Sequence, residues 1–135
     1  MINILIADDH EIVREGLKQI VAEESDMKVT GEASNADEVM IILKKNNFDI
    51  AVLDINMPGK SGLDILKDLR IQYQNLPVLI LSMYGEEQYG IRALKAGASG
   101  YLKKVSAPDE FVLAIRKIVS SGRYVSSSLG ESLAK

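Results

Sequence analysis

Apolar and polar residues follow two rhythms along this chain, and the change from one to the other recurs five times. Ile2 to Ala7 is an apolar run of strand length, and from Glu11 the apolar positions Val13, Leu17, Ile20 and Val21 recur at helical spacing with charges between them. Lys28 to Ala33 reads as a weaker strand with Gly31 inside it. A helix on Ala36, Val39, Met40 and Leu43 follows, with Ser34 and Asn35 as capping residues. Phe48 to Asp54 contains the third strand, and Leu63, Leu66 and Leu69 carry the third helix, whose polar face holds Asp64, Lys67, Asp68 and Arg70. Pro77 to Ser82 is the fourth strand, apolar up to Leu81 as strands buried on both faces are, and Glu86 to Ala96 is a thinner helix on Ile91 and Leu94. Ala98 to Lys103 is the fifth strand. The last helix starts near Pro108 and is expected to bury Phe111, Val112, Ile115, Ile118 and Val119.

Five strand-helix repeats, each with a crossover long enough for one helix, predict an α/β domain with a parallel sheet, right-handed connections and helices on both faces. Gly122 reads as the terminator of the last helix. Beyond it lie Arg123-Tyr124-Val125 and a serine run in which Ser128 and Glu131 have the spacing of a capping box, with Leu129 and Leu133 one turn apart. The expected division is one domain over 1–121 and the start of an interdomain linker over 122–135.

The polar residues that end the strands change the picture from fold to chemistry. Asp8 and Asp9 follow the first strand, Asp54 ends the third, Ser82 ends the fourth, and Lys104 follows the fifth. In an open parallel sheet all of these fall on the edge where ligands and chemistry collect. Carboxylates crowded there repel by roughly 4 kcal/mol per close pair at an effective dielectric near 20. A lysine ammonium or a hard cation with oxygen ligands, most naturally Mg²⁺ with retained waters, would offset that repulsion. One carboxylate nucleophile beside a cation, a lysine and a hydroxyl suits phosphoryl transfer, in which positioning and charge neutralisation do most of the work. Asp54 is then the nucleophile, with the Ser82 hydroxyl and the backbone amides after Asp54 available to the phosphoryl oxygens.

Composition narrows the classes further. At 135 residues the chain is one domain by length, and 47% hydrophobic with 26% charged residues is a globular balance rather than a disordered one. There is no cysteine, which excludes disulfides and thiolate metal sites and fits a cytoplasmic protein. No apolar run reaches membrane-spanning length, and the N-terminus lacks the basic leader of a signal peptide. A formal net charge of -3 gives no overall attraction to nucleic acid, so DNA contact would need a separate module.

Together, these residues resemble the receiver domain of two-component response regulators. The matching pieces are Ala7-Asp8-Asp9-His10, Val13-Arg14-Glu15-Gly16-Leu17, Asp54-Ile55-Asn56-Met57-Pro58 with Gly62, Ser82, Gly97-Ala98, Gly100-Tyr101 and Lys104. The resemblance implies a flavodoxin-like, doubly wound sheet of five parallel strands in the order 2-1-3-4-5 with five helices. It implies that Asp54 is the phosphoacceptor, that Asp8, Asp9, Asp54 and the Asn56 backbone carbonyl bind Mg²⁺, and that Lys104 binds the phosphoryl group. Ser82 becomes the switch hydroxyl and Tyr101 the switch aromatic. The implied partners are a sensor histidine kinase and, after phosphorylation, a second copy of the chain. Such a domain phosphorylates itself from a donor and loses the group slowly; it is not an enzyme with an external substrate. The opening motif and Gly122-Arg123-Tyr124-Val125-Ser126 are similar to the NarL/FixJ-like subfamily, in which a C-terminal helix-turn-helix, absent from this chain, binds DNA.

Three positions depart from the usual receiver pattern. Val105 follows the lysine where many receivers have proline, and Met83 is bulky beside Ser82. Lys103 and Lys104 are adjacent, so strand alternation lets only one reach the pocket, and the spacing from Tyr101 favours Lys104.

Each residue also has a plainer reading. Asp8 and Asp9 would suit a helix start, Asp9 as its N-cap, while Ser82 alone is an ordinary strand-end hydroxyl and Tyr101 alone is half-buried packing. His10, the single histidine, is assigned no chemistry and placed in the first helical turn. An aspartate-nucleophile phosphatase would carry a second acid two residues after the nucleophile, where this chain has Asn56. A flavin module would have a phosphate cradle in place of Asp-Asp-His. The alternative to a transcription regulator is a stand-alone receiver acting as a phosphorelay or protein-binding module.

Overall fold

A computed structural model of the chain describes residues 1–125. Strands β1 (Ile2–Ala7), β2 (Met27–Ala33), β3 (Ile50–Asp54), β4 (Val78–Ser82) and β5 (Gly100–Lys103) alternate with helices α1 (Glu11–Ala22), α2 (Ala36–Lys45), α3 (Gly62–Gln72), α4 (Glu86–Lys95) and α5 (Ala107–Ser121). The strands form one parallel sheet in the order β2-β1-β3-β4-β5. The expected flavodoxin-like, doubly wound topology is thus the observed one.

Alternation along the strands divides the core in two. Leu5, Ala7, Ala51 and Leu53 face Val39 and Leu43 of α2, Leu66 and Leu69 of α3, and Ala93 and Leu94 of α4. Ile4, Ile6, Ile50 and Val52 face Leu17 and Val21 of α1 and Phe111, Ala114, Ile115 and Ile118 of α5. All five residues of β3 and of β4 are buried, which explains their unbroken apolar runs. No helix among the described residues is long and apolar enough to cross a membrane.

Two details differ from the sequence reading. Phe48 lies before β3 and packs its ring over Gly31, where an added Cβ would come within 2.6 Å of that ring. The register of β2 on β1 slips between Ile4 and Leu5, beside Gly31, as a bulge next to a glycine does. At the other end, Val119 is 40% exposed, while Ala107 and Ala114 are buried. A helix of this length has room against the sheet for one stripe only, and Val119 lies at its margin.

Gly122 ends α5 with φ 87°, a left-handed cap available to glycine at little cost. The chain then turns back onto the edge of β5. The Tyr124 N–H donates to the Ser99 carbonyl at 2.9 Å, Tyr124 bridges Gly100 in parallel, and its hydroxyl donates to Glu110 Oε1 at 2.7 Å. That hydrogen bond and burial push the Tyr124 phenol up to about 12. Ser128, Glu131, Leu129 and Leu133, with their expected helix start, lie outside the described residues.

Candidate functional site

The carboxyl edge of the sheet carries the site. Asp8 follows β1 and Asp54 ends β3, and they are only 1% and 2% exposed although both are acids. The Lys104 Nζ lies 3.0 Å from Asp8 Oδ2 and 3.2 Å from Asp54 Oδ2. Its backbone starts a single turn of 3-10 helix (Lys104–Ser106), which carries it past the strand end and over the two acids. Lys103 remains in β5 and is exposed.

Local hydrogen bonds hold the acids in place. Asp54 Oδ1 accepts from the Asn56 N–H at 3.1 Å, an Asx-type turn that starts the loop toward α3. The loop turns at Gly59, with φ 81°, and closes where the Gly62 N–H donates to the Ile55 carbonyl. A Cβ at Gly62 would sit 2.8 Å from the Ile55 Cα and press on the Asp54 carbonyl, so the start of α3 can approach Asp54 only as glycine. Ser61, with its side chain accepting from the Asp64 N–H, caps α3.

The first loop differs from the sequence reading. His10, not Asp9, occupies the N-cap position of α1, and it makes no side-chain cap. Asp8 Oδ1 accepts from the His10 N–H at 2.9 Å, and His10 Nδ1 lies 3.2 Å from both Asp8 Oδ1 and Asp9 Oδ1. The single histidine therefore faces the acidic pair. Arg14, one helical turn on, donates from Nη1 to the Asp8 carbonyl at 2.6 Å and from Nε to Glu32 Oε1 of β2. No local pattern in the sequence signals these roles, because the arginine's partners depend on how α1 crosses β2.

Whether the residues fit a cation can be judged from their unfilled acceptors. Asp8 Oδ2, Asp9 Oδ1 and Asp54 Oδ2 are buried without a hydrogen bond. Lys104 meets the first and last at ion-pair distance, so their charge is offset while each carboxylate oxygen keeps a further lone pair open. Ligand atoms of Asp8, Asp9, His10 and Asp54 all lie within 4.8 Å of one another. An acidic cluster with such oxygens could bind a divalent metal.

The electrostatics show how incomplete the neutralisation is. Burial, with the neighbouring Asp8 charge, pushes the Asp54 carboxyl above its ordinary value despite the Asn56 N–H and Lys104. Burial pushes the Lys104 ammonium down, but contact with Asp8 and the charge of Asp54 outweigh it and hold it above the usual lysine value. In a balanced pair the acid would move down as the lysine moves up. Asp54 moves the other way chiefly because it is buried, and the like charge of Asp8 adds to the shift.

Ser82 and Tyr101 meet at one residue of the β4–α4 loop. Ser82 is fully buried, and its Oγ accepts from the Tyr84 N–H at 3.0 Å. Tyr101 is also buried, and its hydroxyl donates to the Tyr84 carbonyl at 2.9 Å. Met83, between Ser82 and Tyr84 in the chain, is exposed.

A doubly wound sheet with an acidic pair, a central aspartate and a lysine gathered at its carboxyl edge defines the class of two-component signalling receivers. The chain belongs to the response regulator receiver domain family, whose profile matches residues 4–116. It is 35% identical over 134 residues to the response regulator UvrY of Escherichia coli, covering 99% of this chain and 62% of that protein. It is equally identical to the transcriptional regulatory protein DegU of Brevibacillus brevis, covering 57% of it. The chain thus spans about three fifths of the length of these curated relatives. Among solved structures, a LuxR-family two-component response regulator from Aurantimonas sp. SI85-9A1 superposes with TM-score 0.87 at 32% identity, covering 98% of this chain and 94% of that one. The receiver domain of NarL from Mycobacterium tuberculosis superposes with TM-score 0.82 at 29% identity, covering 89% and 97%. The subfamily is the NarL/FixJ type indicated by the opening motif.

Proposed function

We propose that Asp54 is the phosphoacceptor of this receiver, taking a phosphoryl group from a sensor histidine kinase or from a small donor such as acetyl phosphate. The observation that carries the reading is the ammonium of Lys104 held between two buried carboxylates, whose oxygens facing it carry no other hydrogen-bond contact. An Asp54 carboxylate oxygen forms the new bond to phosphorus as the bond from phosphorus to the donor nitrogen or oxygen breaks, and the electron pair leaves with the donor. Asp8, Asp9, Asp54 and the Asn56 carbonyl would hold Mg²⁺, which supplies positive charge to the transferred oxygens. Lys104 supplies a second positive charge, and the Asn56 N–H keeps one Asp54 oxygen fixed so that the other is presented. Turnover is limited to this self-phosphorylation and its slow reversal by water. Intact-mass spectrometry with acetyl phosphate and Mg²⁺ should give one phosphoryl adduct on the native chain and none on Asp54→Asn. An undiminished adduct on the variant would refute the assignment.

Ser82 is proposed as the switch hydroxyl and Tyr101 as the switch aromatic. The Ser82 oxygen accepts from Tyr84, so its proton is free to donate toward a phosphoryl group without breaking that bond. Any shift of Ser82 is then felt through Tyr84 by the Tyr101 hydroxyl. In Ser82→Ala the adduct should still form, while the amide chemical-shift changes at Tyr84 and Tyr101 that accompany phosphorylation of the native chain should be lost. A full response in that variant would disprove the coupling.

The proposed setting is a cytoplasmic transcription regulator whose receiver, residues 1–121, is followed by a linker and a DNA-binding helix-turn-helix, with phosphorylation favouring a homodimer. The description of the Brevibacillus brevis relative as a transcriptional regulatory protein, and the two fifths of the relatives' length beyond the matched region, support this. Near the start of the linker, Tyr124 is held to β5 next to the switch residue Tyr101.

A further inference from the structure

We propose that His10 is a nitrogen ligand of the divalent-cation site and tilts its selectivity from Mg²⁺ toward metals that accept imidazole, such as Zn²⁺ and Co²⁺. The inference rests on the proposed cation site at Asp8, Asp9 and Asp54.

The placement of the ring is the first ground. At the N-cap of a helix a side chain usually turns forward to accept from the first-turn amides, but His10 forms no such bond. Its ring turns back, with Nδ1 hydrogen-bonded to Asp8 Oδ1 at 3.2 Å and also 3.2 Å from Asp9 Oδ1. Neighbouring ligands on a six-coordinate cation with bonds near 2.1 Å stand about 3 Å apart, and opposite ones about 4.2 Å apart. The Nδ1 separations fit neighbouring ligands, and a cluster spanning 4.8 Å needs only slight contraction to close on an ion.

Unfilled acceptors are the second, independent ground. Asp8 and Asp54, at 1% and 2% exposure, each keep Oδ2, the oxygen that Lys104 faces, without a hydrogen bond, and Asp9 keeps Oδ1, the oxygen that His10 Nδ1 faces. Lys104 approaches the site from the Asp8 and Asp54 side, whereas His10 approaches from the Asp8 and Asp9 side. A cation among the oxygens would meet the imidazole on the face the lysine does not cover, taking the place of the Nδ1 proton that Asp8 Oδ1 accepts.

The chemistry follows from the donor set. Three carboxylates and a carbonyl suit Mg²⁺, which keeps its waters; an imidazole in their midst favours the later first-row metals. Nδ1 would bind as the unprotonated nitrogen, with the proton on Nε2, and a side chain 59% exposed leaves that N–H to water.

Because His10 is the single histidine, ¹⁵N-histidine labelling of the whole chain gives one ring to follow. Zn²⁺ added to metal-free protein should move the Nδ1 resonance to a ligated position at one equivalent while Nε2 keeps its proton. The same addition to Asp9→Asn should leave Nδ1 largely unmoved. By calorimetry, His10→Phe should reduce the preference for Co²⁺ over Mg²⁺ by about tenfold or more. If Zn²⁺ binds and Nδ1 does not respond, if Asp9→Asn responds as the native chain does, or if the preference is unchanged, the proposal is overturned. Mg²⁺ binding, followed by the backbone amides around Asp54, separates the two readings. Mg²⁺ binding with a silent His10 overturns this inference alone, whereas a chain that binds neither metal overturns the cation site with it.

Discussion

Lys104→Met should lower the unfolding free energy by about 3 kcal/mol in chelator, the largest change expected of any single replacement at this site. Removing one partner from a buried ionic group leaves charge uncompensated, which generally costs about 3–5 kcal/mol. The low end applies because one carboxylate can take up a proton, and Asp54, already pushed up by burial and by Asp8, is the one to do so. Methionine keeps the length of the stem, so the loss reports the ammonium rather than packing. Millimolar Mg²⁺ should restore part of the loss, since a ligand that binds only the folded state stabilises it by mass action. The lysine is held above its ordinary 10.5, so its contribution is fully present below that pH and disappears as pH rises through the folded value. Urea denaturation of both chains from pH 6 to 11, with chelator or Mg²⁺, checks this. Equal stabilities in chelator at neutral pH would mean that the ammonium is not what offsets the two acids.

Asp54→Asn should act in the opposite direction and stabilise the metal-free chain at pH 7, because it removes a buried charge that burial and Asp8 disfavour while Lys104 keeps Asp8 as its partner. The amide oxygen can still accept from the Asn56 N–H, and the like charge facing Asp8 is gone. A carboxyl whose folded pKa lies above its unfolded value binds its proton more tightly when folded. Ionising it therefore destabilises the fold as pH rises from the unfolded value, 3.8, through the folded one. The advantage of asparagine should be full at neutral pH and fade as pH falls toward 3.8 and below. Thermal melts of the two chains across pH 3.5–7.5 read the difference. A gain that grows toward acid, or a loss at pH 7, would contradict the electrostatic account. The effect would be a cost of function: the charge that the proposed phosphoacceptor Asp54 needs as a nucleophile works against the fold that holds it.

Both predictions depend on proximities that differ in how far the chain itself announces them. Local periodicity determined the five strand-helix repeats, the two-sided parallel sheet and the arrival of Asp8, Asp9, Asp54, Ser82 and Lys104 at one edge. Those features arise from residues two, three or four positions apart, so they are visible in any short window. The Gly122 cap was legible for the same reason, whereas Gly62 entered only with the family motif. Phe48 was harder to place, since its ring belongs to the space over Gly31, a partner supplied by another strand. Val119 was misplaced because helical spacing defines a stripe, while the width of that stripe depends on what packs against it.

Tertiary structure alone decided which atoms meet. That His10 faces Asp8 and Asp9, that Arg14 grips the Asp8 carbonyl, and that Tyr84 joins Ser82 to Tyr101 all follow from loop direction and sheet register. The turn after Gly122 that returns Tyr124 to the edge of β5 is of the same kind. Strand alternation showed that only one of Lys103 and Lys104 could reach the pocket; the 3-10 turn placed the Lys104 ammonium between Asp8 and Asp54. Periodicity says which side of an element a residue occupies, whereas contact across the sheet edge requires the positions of several elements at once.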